Sequence, residues 1–592
     1  MNYPLLSDGG RYESEVSVFG GYNHNITCAF GEYYNMRNMS SLNAPVMETR
    51  QRRGLGKTLE NPQGLLDKET VIIVDDCKLY ADGEEIDLGD ITLTDTEKSM
   101  AKMGAYVIIM PDRVWYNTKT KESGRMDSYW KYKGHVEMHV SNQYGSTIEW
   151  HDSAYYETND PKDGDYLLST ASGKASLKVY STTLSAWQNV TSTYFQINAP
   201  GIGSNFDKED GVYVAIKNKN WEYAPNIFVN EEEDGYISSN FSIIDKTDDS
   251  ITVTGLLDDT QIFGSLDIKV ERRVPEMAYI TECNNRLWGC STDGHEIYAC
   301  KLGDVKNWNC FMGVSTDSWA VTIGSDGIFT GAVTYLGYPI FFKEESLIKI
   351  AVSATGGHQT KETICRGVQN GSAKSISITN EMLLYKSTTD VCLYTGSMPA
   401  SISEALGKVR YSDAVSGSID NRYYISMKDS GGKYHMFVYD RNTSQWIRED
   451  NTHARYFCKH GDDLYYVDAD DNRIKSVYGS HLYEDADNDT ESAFDWSVES
   501  GNISYDIPES KFIGAINVRA TLGNGSRMSF YVQYDDGEWI ESFDMVGYGQ
   551  KSFNVPVIPV RCDHFRYRIS GHGECKIHSI NKRWEKGSDQ RV

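Results

Sequence analysis

A loose repeat between Asn284 and Gly479 constrains the fold of this chain more than any other feature. Its members read Asn-Asn-Arg-Leu-Trp-Gly-Cys from Asn284, Leu-Gly-Tyr-Pro-Ile-Phe-Phe from Leu336 and Asn-Glu-Met-Leu-Leu-Tyr from Asn380. Two more follow, Asp-Asn-Arg-Tyr-Tyr-Ile-Ser from Asp420 and Gly-Asp-Asp-Leu-Tyr-Tyr-Val from Gly461. Successive starts lie roughly forty to fifty residues apart, the spacing of one four-stranded propeller blade. Such a unit cannot bury its own faces, so it needs a neighbour on each side, and a closed ring supplies both. Two earlier segments, Thr70 to Tyr80 and Tyr106 to Tyr116, carry the same strand, turn and strand pattern. They bring the expected count to about seven blades.

The rest of the chain divides around that ring. The expected fold is all-β: a β-propeller with an inserted β domain and a C-terminal β-sandwich. Residues 1–54 read as an N-terminal arm, 55–133 as the first part of the propeller and 134–275 as the insert. Residues 276–480 read as the second part of the propeller and 490–592 as the sandwich, with Asp536-Gly537 as a hairpin turn. Forty tyrosines against seventeen methionines suit half-buried sheets and subunit contacts. The net charge of −26 argues against wrapping nucleic acid, because that affinity comes from Lys and Arg displacing counterions from phosphates. An acidic wall still lets DNA slide past. No leader or membrane-spanning apolar stretch is visible in the sequence. The eleven cysteines lack paired spacing, and Cys283, Cys290, Cys300 and Cys310 read as small buried hydrophobes.

Chemistry is sparse. The acidic runs from Asp468 and Asp485 lack the Gly and Glu of a calcium loop. Asp293 and Asp429 sit where an Asp ties down its own turn. No carboxylate pair stands out as a glycosidase acid and base, and no hydrolase or nucleotide-binding motif appears. The chain is therefore expected not to be an enzyme and to need no metal and no cofactor. Tyr531, Tyr534 and Trp539 are candidate sugar contacts in the sandwich, with core packing as the competing role. The run Arg50, Arg52 and Arg53 reads either as a solvated loop or as a docking point for an acidic neighbour or a phosphate.

The N-terminal Gly20-Gly-Tyr-Asn-His-Asn-Ile26, Phe30 to Met39, Ala44-Pro-Val46 and Arg50 to Gly54 resemble the start of tail proteins of bacteriophages and prophages of Firmicutes. The end resembles the same family through Ile507 to Gly514, Tyr531 to Tyr534 and Val560 to Arg568, as does Gly164 to Trp187 in the insert. The layout is similar to the nozzle (tail hub) proteins of short-tailed phages. That resemblance implies a structural virion protein, made in the host cytoplasm, that joins copies of itself in a ring, a hexamer. The genome would leave through the ring without specific binding, and adaptor proteins, tail fibres or tail-tip proteins would attach to it. No membrane insertion is expected. Tyr22, Asn23, Tyr33, Tyr34, Arg50, Arg52 and Arg53 are the expected assembly residues, on an arm that orders only against a neighbour. The alternative is a carbohydrate-binding phage adhesin that recognises the host surface.

Overall fold

The computed structural model describes residues 11–25, 28–169, 175–217, 227–232, 234–258, 262–352, 357–505 and 510–586. Helical backbone among them is confined to single 3-10 turns such as Ala373–Ser375 and Glu404–Leu406. The architecture is all-β, a β-propeller with seven blades among the described residues, six of four strands and the last of five.

Blade 1 runs through Pro62–Lys68, Thr70–Asp75, Lys78–Ala81 and Glu84–Ile86, and blade 2 from Ser99–Met103 to Ser123–Arg125. Blades 3 to 6 start with Met277–Cys283, Gly331–Tyr335, Ser377–Thr379 and Tyr411–Ile419. Each repeat begins at the tight turn between the first and second strands of a blade. Asn284 and Asn285 both adopt left-handed φ there, as do Asn380 and Glu381, the backbone that a two-residue hairpin requires. The second strand is the apolar one because both its faces are covered. In blade 1, Ile72 and Val74 pack on blade 2 while Val71 and Ile73 pack on blade 7. Alternation then puts apolar side chains on both faces, giving a continuous hydrophobic run.

Blade 7 closes the ring from both ends of the sequence. Ala454–His460, Asp463–Asp468 and Arg473–Ser476 supply three strands, and Gly54–Thr58 adds the fourth, with Gly54 opposite Ser476. The inner strand Ala454–His460 then packs beside Pro62–Lys68 of blade 1.

The insert occupies the connection from blade 2 to blade 3. Ser128–Ser141 and Ile262–Arg272 form its stem, so it starts a little before residue 134 and ends a little before 275. Gly211–Lys217, Ile262–Arg272, Ser128–Ser141, Tyr194–Asn198, Ser250–Thr254 and Ile237–Thr247 pair in that order. The last pairs again with the first, closing a six-stranded barrel around Phe195, Ile197, Val214 and Val253. A small sheet, Trp150–His151 to Ala186–Asn189, stands on one barrel connection.

The C-terminal sandwich is built around Lys511–Tyr534. The first half of this strand pairs with Cys575–Lys586 and the second with Phe565–His572. The expected turn is present, with Gly537 N donating to Tyr534 O at 3.1 Å before Ile540–Val555 returns along the same strand. The N-terminal segment differs from the expected free arm. Arg11–Val16 pairs with Cys575–Lys586, Glu32–Arg37 pairs with Asp495–Ser500, and Met47–Thr49 adds a short edge. Val16, Tyr33, Met36, Met39 and Met47 are buried in the core shared with the sandwich. Burying them against this chain's own strands removes the need for a neighbour to order the segment. Residues 1–10 and 506–509, which belong to the arm and to the C-terminal resemblance, lie outside the described residues.

Candidate functional site

The inner strands of the seven blades begin around a common axial pocket of about 780 Å³. The 3-10 turn Ala373–Ser375, just before blade 5, points Lys374 into it. Lys374 Nζ lies 2.6 Å from Glu97, just before blade 2, and donates to Arg455 O at 3.2 Å. It also sits 4.0 Å from the centre of the Tyr456 ring in blade 7. One side chain thus ties three blades together across the axis. Burial pushes the Lys374 amine below its ordinary value, partly offset by the Glu97 carboxylate. On the same rim Tyr434 stacks on His453 at 3.6 Å, with His453 Nδ1 3.2 Å from Asp470. The pocket is lined by the cations Lys98, Lys374 and Arg455, the carboxylates Glu97 and Asp413 and a stacked aromatic pair, a set suited to holding a small polar ligand.

A second concentration of charge lies where the N-terminal segment meets the propeller and the sandwich. Arg53 and Glu449 are both buried and in direct contact, and Arg53 Nη2 lies 3.4 Å from Asp450 Oδ2. Arg50 lies 3.3 Å from Asp450 and grips Glu491 with two bonds of 2.6 and 2.8 Å. Arg50 Nε donates to Asn38 at 2.8 Å, and its guanidinium stacks 4.2 Å over Phe494. Burial alone would raise the Asp450 carboxyl. The Arg53 and Arg50 guanidiniums outweigh that and hold it near 2. The arginines therefore do meet an acidic neighbour, and it belongs to the same chain. Nothing in the local sequence marks Glu449, Asp450 or Glu491 as that partner, since they lie far along the chain in strand ends and a linker.

The other expected assembly residues are also occupied. Tyr22 is buried against Phe437, and Tyr33 is buried edge-on to Tyr567. Asn23 Nδ2 donates to Glu32 at 2.5 Å, and Tyr34 stacks on His24 at 4.3 Å. Arg52 keeps its side chain in solvent, 3.9 Å from Glu574. Among the candidate sugar contacts, Tyr534 donates to Ile558 O at 2.5 Å, and Trp539 lies under the Arg568 guanidinium at 4.2 Å. Arg568 is held in turn by Glu499, at 2.8 and 2.9 Å. Tyr531 is half-buried and faces Arg568 across the strand pair.

The turn carboxylates act as expected. Asp293 accepts from His295 N at 3.1 Å, and Asp429 from Gly431 N and Lys433 N at 2.8 and 3.0 Å. Cys283, Cys290, Cys300 and Cys310 are buried, and burial pushes the Cys290 and Cys300 thiols up to about 12. No helix among the described residues is long and apolar enough to cross a membrane.

No family model and no curated protein matches the sequence. Among solved structures the chain is similar to an exo-β-1,3-galactanase from Phanerochaete chrysosporium. The two are 10% identical, with 51% of this chain and 94% of that one covered and a TM-score of 0.22. It is also similar to the dihydro-heme d1 dehydrogenase NirN, at 10% identity, 61% and 80% coverage and a TM-score of 0.24. These similar structures are enzymes, which corrects the expectation that a chain of this kind is not one. At such identity and TM-score the likeness carries no activity, substrate or residue across to this chain.

Proposed function

We propose that the chain is a structural subunit of a bacteriophage tail. In this reading copies close into a nozzle or hub ring through which the genome leaves, and fibres or tail-tip proteins attach to it. The assembly part rests on one observation, an apolar knuckle in the loop between the third and outer strands of blade 3. Phe311 and Val314 are 51% and 55% exposed there, beside the exposed Met312. The loop is held in shape. Asp317 Oδ2 accepts from the backbone N–H groups of Met312, Gly313 and Val314 at 2.6, 2.7 and 3.1 Å. A turn braced in this way presents its apolar side chains at little further entropic cost on binding, which favours a packed protein contact.

The net charge of −26 supports passage of DNA without retention. Lys374 and Glu97 reach across the propeller axis, so the channel in this reading lies between copies. Electron micrographs of the purified protein or of virions are expected to show a closed ring. Phe311→Asp is expected to shift the protein to smaller species in light scattering while its circular dichroism stays unchanged. A lone copy in assembled virions, or a channel lined with Lys and Arg, would overturn the proposal.

A further inference from the structure

The strand Cys575–Lys586 breaks its own pattern at one position. Its inward side chains are Cys575, Ile577, Ile580, Lys582 and Trp584, so a lysine stands where the sandwich core calls for an apolar residue. Lys582 is only 1% exposed. Its ammonium lies 3.8 Å from the centre of the Phe30 ring and 5.3 Å from that of Tyr567. No carboxylate among the described residues lies within ion-pair distance of it. A buried charge without a counter-ion is costly, and local rules are broken most often where a site requires it.

The surroundings form a receptacle. Lys582 lines a cleft of about 420 Å³ between the sandwich and the turn before Glu32–Arg37, with Phe30, Tyr505 and Tyr567 as aromatic walls. Tyr505 is held at φ 57°, a backbone that a bulky side chain rarely adopts. Its ring is fixed by stacking on Trp584 at 4.4 Å and its hydroxyl by Ser14 Oγ at 3.1 Å. Strain of this kind persists where the surroundings over-determine it, and it concentrates at binding sites.

We propose that this cleft binds a small carboxylic acid carried on a six-membered ring, with the carboxylate seated on Lys582 Nζ and the ring between Phe30 and Tyr505. The lack of a counter-ion among the described residues supplies the charge requirement, and the aromatic walls supply the ring requirement. An aromatic acid and a uronic sugar share this chemistry. The site is independent of the ring assembly proposed above.

Binding is expected to follow protonation of one group. Burial pushes the Lys582 amine down to about 7. The other titratable groups facing the cleft are Cys28, Glu32, Tyr505 and Tyr567. Burial pushes the Cys28 thiol and the Tyr505 hydroxyl up to about 12, and raises the Tyr567 hydroxyl as well. The Glu32 carboxylate already accepts from Ala29 N at 2.8 Å and from Asn23.

The test is calorimetric titration of the full chain with benzoate and with glucuronate, using benzamide and glucose as uncharged controls. One acid is expected to bind in the millimolar range or tighter and its control to bind at least about tenfold more weakly, the acid that binds naming the source. Affinity is expected to fall as pH rises through about 7, where the ammonium is lost. Lys582→Met fills the same core position and is expected to remove binding while the thermal melt holds. Phe30→Ala, at the exposed wall, is expected to weaken binding without touching the core. No saturable binding of either acid up to about 10 mM, or binding unchanged by Lys582→Met, would overturn the proposal.

Discussion

Arg53→Ala is expected to lower the unfolding free energy by about 3–5 kcal/mol, the cost of leaving a buried charge without its partner. Glu449 is buried with Arg53, and the change strips its closest cation while Arg50 stays committed to Glu491 and Asp450. The loss comes mainly from the stranded carboxylate. Arg53→Met combined with Glu449→Leu is therefore expected to recover most of it, since a well-packed apolar pair can match a buried ion pair. Urea unfolding of the two variants checks both statements. A single-variant loss below about 0.5 kcal/mol, the scale of an ordinary surface change, would show that the junction is solvated. Acid supplies an independent reading. The Asp450 carboxyl is held near 2, below its ordinary value, so the stability it contributes is whole at neutral pH. That contribution is lost as pH falls from about 4 towards 2, and Arg53→Ala is expected to flatten that part of the curve.

The propeller was legible because its signal is local. A turn with left-handed residues and a strand apolar on both faces lie within about ten residues of each other, and the pair recurs in every blade. The N-terminal segment was illegible for the opposite reason. In Glu32–Arg37 a register shift between Tyr33 and Asn35 disrupts the alternation, so the buried Tyr33 and Met36 do not fall on every second residue. Their partners lie in Asp495–Ser500, at the other end of the chain. The insert was recognised, but its start was set late because in the first half of Ser128–Ser141 exposed residues alternate with half-buried ones and the stretch reads as polar alternation. At the sites, residue types left Arg50 and Arg53 open between a solvated loop and a docking point for an acidic neighbour or a phosphate, and both side chains are buried against carboxylates. Composition could not say that the neighbour is intramolecular. Lys582 was missed because one lysine in an otherwise alternating strand looks like an outward residue until register fixes its face.

Removing residues 1–53 is expected to unfold the sandwich, and extending the deletion through Thr58 to open the propeller as well. The first deletion takes away Arg11–Val16 and Glu32–Arg37, leaving Cys575–Lys586 and Asp495–Ser500 with bare edges. It also removes Val16, Phe19, Tyr22, Tyr33, Met36, Met39 and Met47 from the shared core. At about 1.5–3 kcal/mol for each buried side chain, their loss amounts to roughly 10–20 kcal/mol. A domain's net stability is only about 5–15 kcal/mol, so the sandwich cannot survive the cut. The second deletion removes the strand paired with Arg473–Ser476, and blade 7 is left with three strands and an open seam. An arm that ordered only against a neighbour would behave in the opposite way, impairing assembly while the isolated subunit melted as before. Thermal melts of the two truncated chains, read beside their assembly state, separate these outcomes: unchanged melting after removal of residues 1–53 would restore the free-arm reading. Loss of the sandwich transition would instead mean that the first residues are the last pieces of a fold completed only once the C-terminal strands exist.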